Sequence, residues 1–217
     1  MRIAAAAAAT ALLLAVPSRS YAQAPQTDDE KAIYALGVLM GRSVGQFNLS
    51  KHELEVLKKG LTDQLNGQKL AVEVETSQPK IRELEQARVS QASTAYLDKA
   101  AKEKGVEKTS SGLLYKSLKD GSGESPKASD TVKVHYKGTL TNGVEFDSSY
   151  ARNEPAEFPL NRVIPCWTEG VQKMKVGGKA RLVCPSAIGY GDRGSPPKIP
   201  GGATLVFEVE LLDVMKK

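Results

Sequence analysis

The spacing of apolar residues changes once along this chain, from a helical period before residue 105 to strict alternation after residue 108. Helical spacing buries one stripe of a helix, whereas alternation buries one face of a strand. A chain that uses the two periods in separate blocks is typical of α+β proteins. We therefore predict an all-α region over residues 23–107 and an α+β unit with an antiparallel sheet over residues 108–217.

Two capping boxes indicate where helices begin in the first block. Thr27 and Ser50 are each followed three residues later by a glutamate. In this pattern the two side chains bond each other's backbone N–H groups at a helix start. The apolar stripes that follow predict a first helix that ends near Phe47 and a second that ends at Asn66.

A third helix is predicted to begin near Ser77, with Pro79 in its first turn, and to end at Gly105. Residues 77–104 are polar almost all round, and such a helix is more often a solvated spacer than part of a core. At 1.5 Å per residue it would extend about 42 Å. We expect a long connecting helix between the two blocks.

Glycines recur at every fourth position of the first helix, at Gly37, Gly41 and Gly45. Each costs about 1 kcal/mol of helix propensity relative to alanine. A row of glycines also lets another helix backbone approach closely; a poorly formed helix is the alternative interpretation. Because three such helices bury little apolar surface alone, we expect a homodimer that forms through residues 27–67.

The first 22 residues have the pattern of a secretory signal. Arg2 precedes an apolar run over residues 3–16, and small residues stand at Ser20 and Ala22. The run is short for a membrane span. We predict cleavage after Ala22, with Ala24 as the second choice and a retained N-terminal anchor as the alternative.

Export would place the mature protein in the periplasm, with outer-membrane association or secretion as other destinations. Signal removal would lower the formal charge from +5 to about +3. The remaining charges are interspersed, which argues against a nucleic-acid partner. No further apolar segment is long enough for a transmembrane span in the mature form.

Alternation defines the strands of the second block. The segment "TVKVHYKGTL" places Val132, Val134 and Tyr136 on one face, and Asn142-Gly143 after it is favoured in tight hairpins. The segments "KARLVC" and "ATLVFEVELLDV" alternate in the same way. One short helix lies between Pro165 and Gly177. These patterns predict an antiparallel sheet with one helix across its apolar face.

The residues that most enzymes use for covalent or metal chemistry are missing or misplaced. His135 faces away from Tyr136, and His52 lies in the helical block, so neither readily meets a cysteine. The two cysteines are 18 residues apart rather than in a C-x-x-C motif. No cluster has the spacing of metal ligands, and no glycine-rich phosphate loop opens a helix. We expect no cofactor and no metal.

Aromatic side chains gather on the predicted inner face of the sheet, where they form either an ordinary core or a binding pocket. Tyr190 joins them from a loop rich in glycine and proline. The others are Tyr136, Phe146, Trp167 and Phe207.

The order of motifs in the second block resembles the FKBP-type peptidyl-prolyl cis–trans isomerases. The motifs are "VHYKGTLTNGVEFDSS", "VIPCWTEGVQKMKVGGKARLVCP" and "GYGDRGSPPKIPGGATLVFEVELL", and the likeness covers about residues 108–217. The helical segments "YALGVLMGRS" and "LKKGLTDQLNG" resemble the N-terminal dimerisation region of the Mip-like branch of that family. The resemblance implies a five- or six-stranded sheet wrapped around a short helix, proline-containing polypeptides as clients, and inhibition by macrolides.

The resemblance also implies roles for individual residues. Trp167 would form the floor of a prolyl pocket, and Asp147 would pair with Arg152 at its rim. The N–H of Ile164 and the hydroxyl of Tyr190 would bind substrate carbonyls. The implied catalytic set is Tyr136, Phe146, Asp147, Ile164, Trp167, Tyr190 and Phe207. The implied substrate-binding set is Arg152, Phe158, Val163 and Ile199.

Three positions depart from the family pattern. Ala156 replaces a wall phenylalanine of many single-domain members, Ser195 replaces a histidine of some, and Cys166 replaces a glycine. Cys184 should face the helix that carries Cys166, so the two thiols either form a disulfide or remain free. These departures concern ligand preference rather than activity.

The function predicted from the sequence is an exported prolyl isomerase that assists protein folding. The alternative is an ATP-independent chaperone or binding module, in which the helical dimer captures unfolded chains and the pocket only holds prolines.

Overall fold

The computed structural model describes residues 24–216. Within them the helices are α1 (Asp28–Val44), α2 (Lys51–Leu65), α3 (Val74–Ala100) and α4 (Pro165–Gln172). The strands are β1 (Glu107–Lys108), β2 (Leu114–Lys119), β3 (Thr131–Leu140), β4 (Glu145–Ser148), β5 (Ala156–Pro159), β6 (Lys179–Cys184) and β7 (Leu205–Met215). The predicted signal over residues 1–22 lies outside the described residues.

The chain divides into two compact units, Met1–Val38 and Leu39–Lys217, and the division falls inside α1. The described part of the first unit, residues 24–38, contains the start of α1. The second unit contains α2, α3, α4 and the whole sheet. No helix of the described chain is long and apolar enough to cross a membrane.

Both predicted capping boxes are present. Thr27 and Glu30 exchange hydrogen bonds between side chain and backbone, and Ser50 and Glu53 do the same. α1 ends three residues before the predicted end, because residues 45–47 form a 3-10 turn. Asn48 follows with φ of 47°, a left-handed conformation that asparagine tolerates and that stops a helix.

The start predicted for α3 was wrong by three residues. α3 begins at Val74 rather than Ser77, so Pro79 lies inside the helix and not in its first turn. The hydroxyls of Thr76 and Ser77 both donate to the carbonyl of Glu73, which ties the extra turn to its start. The helix ends at Ala100, before the predicted end at Gly105.

α3 is also not a solvated rod throughout. Val89, Ser93 and Ala100 are buried on one face of its second half. Their spacing of four and seven residues defines a helical stripe. The sequence hides this stripe because its members are small or polar. Beside Ala100, Tyr96 and Leu97 pack on the sheet with Leu114, Val183 and Val206.

The sheet has seven antiparallel strands, rather than the five or six expected. The order is β1-β2-β6-β7-β3-β4, and β5 pairs with one end of β3. The count is higher because short strands are included: β1 has only two residues, and the strand beside β3 is divided into β4 and β5. The α+β fold with one helix on an antiparallel sheet, preceded by helices, is confirmed.

The main core lies between α4 and the inner face of the sheet. Pro165 occupies the first turn of α4, where its missing N–H leaves no bond unmade. At Gly170 an added Cβ would come within 2.8 Å of Leu182, so this glycine allows α4 to lie close to β6. This close approach sets the position of Trp167 one turn earlier.

Candidate active site

An open pocket of about 730 Å³ lies between the start of α4, strands β3, β4 and β7, and the loop before β7. Its lining brings together ten of the eleven residues expected at the site, and the one outside the lining is the rim partner Arg152. The lining residues are Tyr136, Phe146, Asp147, Phe158, Arg162, Val163, Ile164, Trp167, Tyr190, Ser195, Pro196, Pro197, Lys198, Ile199 and Phe207.

The Trp167 indole is surrounded edge-to-face by three other rings. Its ring centroid lies 5.2 Å from Tyr136, 5.5 Å from Phe158 and 5.4 Å from Phe207, with interplanar angles of 83–88°. These are favoured geometries for aromatic pairs. The indole is 4% exposed, and its buried Nε1 has no hydrogen-bond partner in the described chain. Packing contacts, and no hydrogen bond from the indole within the described chain, therefore hold the ring.

The alternation of β3 and β7 explains how the walls meet. Tyr136 on β3 and Phe207 on β7 both point to the inner face, and Gly138 pairs with Phe207 across the ladder. A Cβ at Gly138 would lie 2.6 Å from the Phe146 ring and 2.9 Å from the Phe207 ring. Only a glycine lets these two rings approach each other over the strand.

A polar group of three residues forms one edge of the pocket. The Tyr136 hydroxyl and Arg152 Nη1 both donate to the Asp147 carboxylate, the second over 2.6 Å. Arg152 Nη2 also donates to the Tyr136 oxygen over 3.1 Å. The ion pair is half exposed, so its direct contribution to stability is small. Its geometry fixes the Tyr136 ring beside Trp167.

Each member of this group keeps a fixed charge at neutral pH. Burial alone would raise the pKa of Asp147, but hydrogen bonds from Tyr136 and Arg152 outweigh it and hold that pKa below its usual value. Burial, and then the bond to Asp147, raises the pKa of the Tyr136 hydroxyl. The bonds to Asp147 and Tyr136 raise the pKa of the Arg152 guanidinium. These shifts suit binding and not proton transfer.

Two groups in the lining can bond a peptide chain. Ile164 precedes α4, and its carbonyl accepts from Trp167 and Thr168, whereas no hydrogen bond within residues 24–216 uses its own N–H. Tyr190 is 42% exposed in the loop opposite. Both positions agree with the carbonyl-binding roles that the resemblance implies, which stay predictions.

Sequence reasoning missed four residues of the lining: Arg162, Pro196, Pro197 and Lys198. Lys198 reaches across the pocket and its Nζ donates to the carbonyl of Phe146 over 3.0 Å. No periodic pattern marks such loop residues; the only available signal was the proline-rich composition of the segment. Ala156 does not reach the pocket, and Phe158 two residues later on β5 does.

Neither cysteine nor histidine contributes to the lining. A disulfide joins Cys166 at the start of α4 to Cys184 at the end of β6, with Cα atoms 5.8 Å apart. The Nδ1 atom of His135 lies 3.0 Å from the Oγ atom of Ser149, and the His135 ring stacks on Tyr150. The pocket therefore contains no cysteine or histidine nucleophile.

An aromatic pocket with hydrogen-bonding groups at its edge, on an antiparallel sheet that packs against one helix, defines the structural class of this protein. Two family models extend this definition. One, described as FKBP-type peptidyl-prolyl cis-trans isomerase, matches residues 122–212. The other, described as a domain amino terminal to FKBP-type peptidyl-prolyl isomerase, matches residues 29–116.

Individual relatives agree with these matches. The FKBP-type peptidyl-prolyl cis-trans isomerase FkpA of Aeromonas hydrophila is 43% identical in an alignment of 218 positions, gaps included, that covers 90% of this chain and 81% of that protein. FkpA of Escherichia coli (strain K12) is 41% identical over 87% of this chain and 77% of its own length. The crystal structure of FkpA from Escherichia coli matches 88% of this chain and 99% of that one, with a TM-score of 0.58.

The chain belongs to the FKBP-type peptidyl-prolyl cis–trans isomerases. The resemblance of the second block, and the prediction of an isomerase, are confirmed. The likeness of the helical block to an N-terminal region of this family is confirmed as well.

Proposed function

We propose that the pocket around Trp167 binds the proline of a polypeptide and accelerates rotation about the bond before it. The observation that carries this proposal is the set of three rings held edge-to-face around one indole. The compact apolar ring of proline fits against such a floor, and the walls exclude water from the bond that rotates. The pocket contains no cysteine or histidine, and this reaction needs neither.

The chemistry follows from the nature of the peptide bond. Resonance gives it a rotational barrier of about 18–20 kcal/mol, and an X–Pro bond exchanges over tens to hundreds of seconds. Twisting the bond breaks the resonance and reduces the charge on its oxygen. An apolar, water-poor pocket therefore binds the twisted form better than the planar form, and this difference lowers the barrier.

Roles for the remaining residues follow from their positions. The Ile164 N–H and the Tyr190 hydroxyl bond carbonyls on the two sides of the proline, so that one side is held while the other turns. Asp147 and Arg152 keep the Tyr136 ring in place. Val163 and Ile199 complete the walls. These roles rest on the lining and hydrogen bonds described above.

Trp167 is the chain's only tryptophan, so its fluorescence reports directly on this pocket. A macrolide directed at FKBP pockets should change the fluorescence saturably and inhibit X–Pro exchange over the same concentration range. Phe158→Ala removes one wall and should weaken the macrolide about tenfold, from the loss of an aromatic contact. Phe47→Ala, the same change at a half-buried phenylalanine outside the pocket, is the matched control. Equal affinities for the two variants would contradict the proposed pocket.

We also propose that residues 1–22 are a secretory signal and that the mature protein works in the periplasm. The proposal rests on the charge and hydropathy pattern of the N-terminus and on the buried cysteine pair, since disulfides persist in exported proteins. The functional division would then be residues 23–107 for the helical dimerisation region and 108–217 for the isomerase.

The helical region is proposed to form a homodimer through residues 27–67. No residue of α1 is buried within the chain, although Ile33, Leu36 and Met40 recur at helical spacing. Exposed apolar stripes of this kind usually pack against a partner. A Cβ added at Gly41 would meet nothing within 4 Å, so the glycine leaves open space on the helix.

Light scattering at micromolar concentration should therefore give twice the chain mass. Gly41→Leu fills the proposed close approach and should weaken the dimer at least tenfold, because inserted side chains prevent backbone contact. Ala35→Leu adds the same side chain about 120° around α1 from Gly41 and serves as control. A monomeric wild-type chain, or equal dimerisation of the two variants, would exclude this interface.

A chaperone activity is the second candidate, and the same exposed apolar stripe favours it. Unfolded clients would bind the helices and not the pocket. In that case Phe158→Ala lowers the isomerase rate but leaves the suppression of client aggregation unchanged. Gly41→Leu, by contrast, alters the suppression of client aggregation. Both activities can reside in one chain because the two surfaces are formed by different residues.

A further inference from the structure

A buried serine on α3 is bonded to the segment that carries one wall of the pocket. Ser93 is 7% exposed, and its hydroxyl is the only side-chain group of α3 that bonds the segment before β7. The hydroxyl accepts from the N–H of Thr204 over 2.9 Å and donates to the carbonyl of Gly202 over 3.2 Å. More than a hundred residues separate these partners along the chain.

Most helical serines bond the carbonyl one turn earlier in their own helix or point to solvent. The Ser93 hydroxyl instead uses both its donor and its acceptor on another segment. Thr204 is 1% exposed, so its N–H would have no access to water if the serine oxygen were absent. The neighbouring Val89 belongs to the same buried cluster as the pocket rings. This face of α3 therefore packs against the isomerase unit at the Ser93 bonds.

The segment from Tyr190 to Thr204 behaves as one backbone unit. Gly202 N–H donates to the carbonyl of Gly191 over 3.0 Å, and Gly194 N–H donates to that of Tyr190 over 3.1 Å. Ser195 and Ile199 exchange two hydrogen bonds. These bonds join the two ends of the segment directly.

Glycine contacts stiffen the unit further. A Cβ at Gly194 would lie 2.3 Å from the carbonyl of Ile199, and a Cβ at Gly201 would lie 2.1 Å from that of Asp192. Backbones this close cannot slide past one another without breaking several contacts. A displacement at Gly202 is therefore transmitted to Ile199 and Tyr190, which are both pocket residues.

We infer that Ser93 is a positioning residue for the isomerase reaction: by bonding Gly202 and Thr204, the connecting helix holds Tyr190 and Ile199 at the distance from Trp167 that a polypeptide substrate needs. The inference rests on the proposed pocket. It makes α3 a structural part of the substrate site as well as a connector, so that events on the helix can alter substrate affinity.

The test compares Ser93→Ala with Ser90→Ala, the same change at an exposed serine of the same helix. Both variants are assayed as full chains on an X–Pro peptide in a protease-free assay, well below their unfolding temperatures. Ser93→Ala should lower kcat/KM roughly fivefold, since small misplacements of binding groups are costly. The change should lie mainly in KM, because Tyr190 and Ile199 hold the chain in both ground and transition states. Ser90→Ala should match wild type.

Two further measurements separate positioning from stability alone. Ser93→Thr retains the hydroxyl and should restore KM. The Thr204 amide should exchange with solvent faster in Ser93→Ala and at the wild-type rate in Ser93→Thr. If Ser93→Ala does not fold, Ser93→Cys carries the same comparison, since sulfur is a weak hydrogen-bonding partner of similar size.

The outcomes are distinguishable. A Ser93→Ala chain that unfolds at a lower temperature but keeps wild-type KM and kcat would overturn the inference and leave Ser93 a purely structural contact. If Phe158→Ala also keeps wild-type activity, the proposed pocket itself is wrong. If only Phe158→Ala loses activity, the pocket stands and the role of Ser93 does not.

Discussion

Replacing Trp167 with alanine is expected to lower kcat/KM for an X–Pro peptide about 30-fold. The indole is the floor of the proposed pocket and contacts three rings that form its walls. If the floor provides about 2 kcal/mol of preferential binding to the twisted bond, its removal raises the barrier by that amount, which corresponds to this factor. Exchange spectroscopy on a proline peptide measures the rate without a coupled protease.

Stability must be controlled in this experiment, because truncation of a buried tryptophan costs roughly 3–5 kcal/mol. Val171→Ala is the matched variant: Val171 is fully buried one turn later on α4 and does not line the pocket. It should lose stability and retain the wild-type rate. Trp167→Phe, which keeps an aromatic floor, should retain most activity. A folded Trp167→Ala chain with wild-type kcat/KM would contradict the proposed mechanism.

Strand faces were predictable from the sequence because burial follows an alternation that depends on nothing outside the strand. Tyr136 and Phe207 face inward as the alternation of β3 and β7 predicts, and the Phe146 and Phe207 rings meet over Gly138. The capping residues were predictable for a similar reason: the bonds between Ser50 and Glu53 are local. The site residues could be assigned only with the family resemblance, because alternation alone does not distinguish a residue of the core from a residue of a pocket.

The residues that sequence reasoning missed are those fixed by contacts distant in the chain. Lys198 lies in the pocket because its amine reaches the carbonyl of Phe146, 52 positions earlier. Ser93 is buried because Gly202 and Thr204 lie above it. A serine on a largely polar helix carries no local sign of burial. Such positions depend on how α3 lies on the sheet.

The proposed mechanism combines a closely packed pocket with a reaction in which the substrate moves. The rings around Trp167 hold one another edge-to-face, and the rim group keeps its charges at neutral pH. A flexible wall would fit the planar and the twisted forms of the peptide bond equally well. Equal binding of the two forms would not lower the barrier to rotation. On the proposed mechanism, contacts that stiffen the pocket from outside, such as those of Ser93 on α3, would bear on activity as well as stability.

Loss of the bond between Cys166 and Cys184 is expected to lower the free energy of unfolding by about 3 kcal/mol, from the entropy of a loop of this length. Urea unfolding of the wild-type chain with and without reductant measures this loss in the free energy of unfolding. A Cys166→Ala/Cys184→Ala chain should be less stable and insensitive to reductant.

A thiol count on denatured, unreduced protein should first find no free thiol, since two free thiols would mean that no bond forms. Both cysteines are fully buried, so reductant should act on the wild-type chain only when it unfolds. The activity of the folded double variant separates two roles of the bond. Because neither sulfur lines the pocket, its kcat should stay within about twofold of wild type if the bond acts mainly by restricting the unfolded chain. A larger fall in kcat at full folding would mean that the bond also holds the first turn of α4, and with it Trp167, in the geometry that rotation of the proline bond requires.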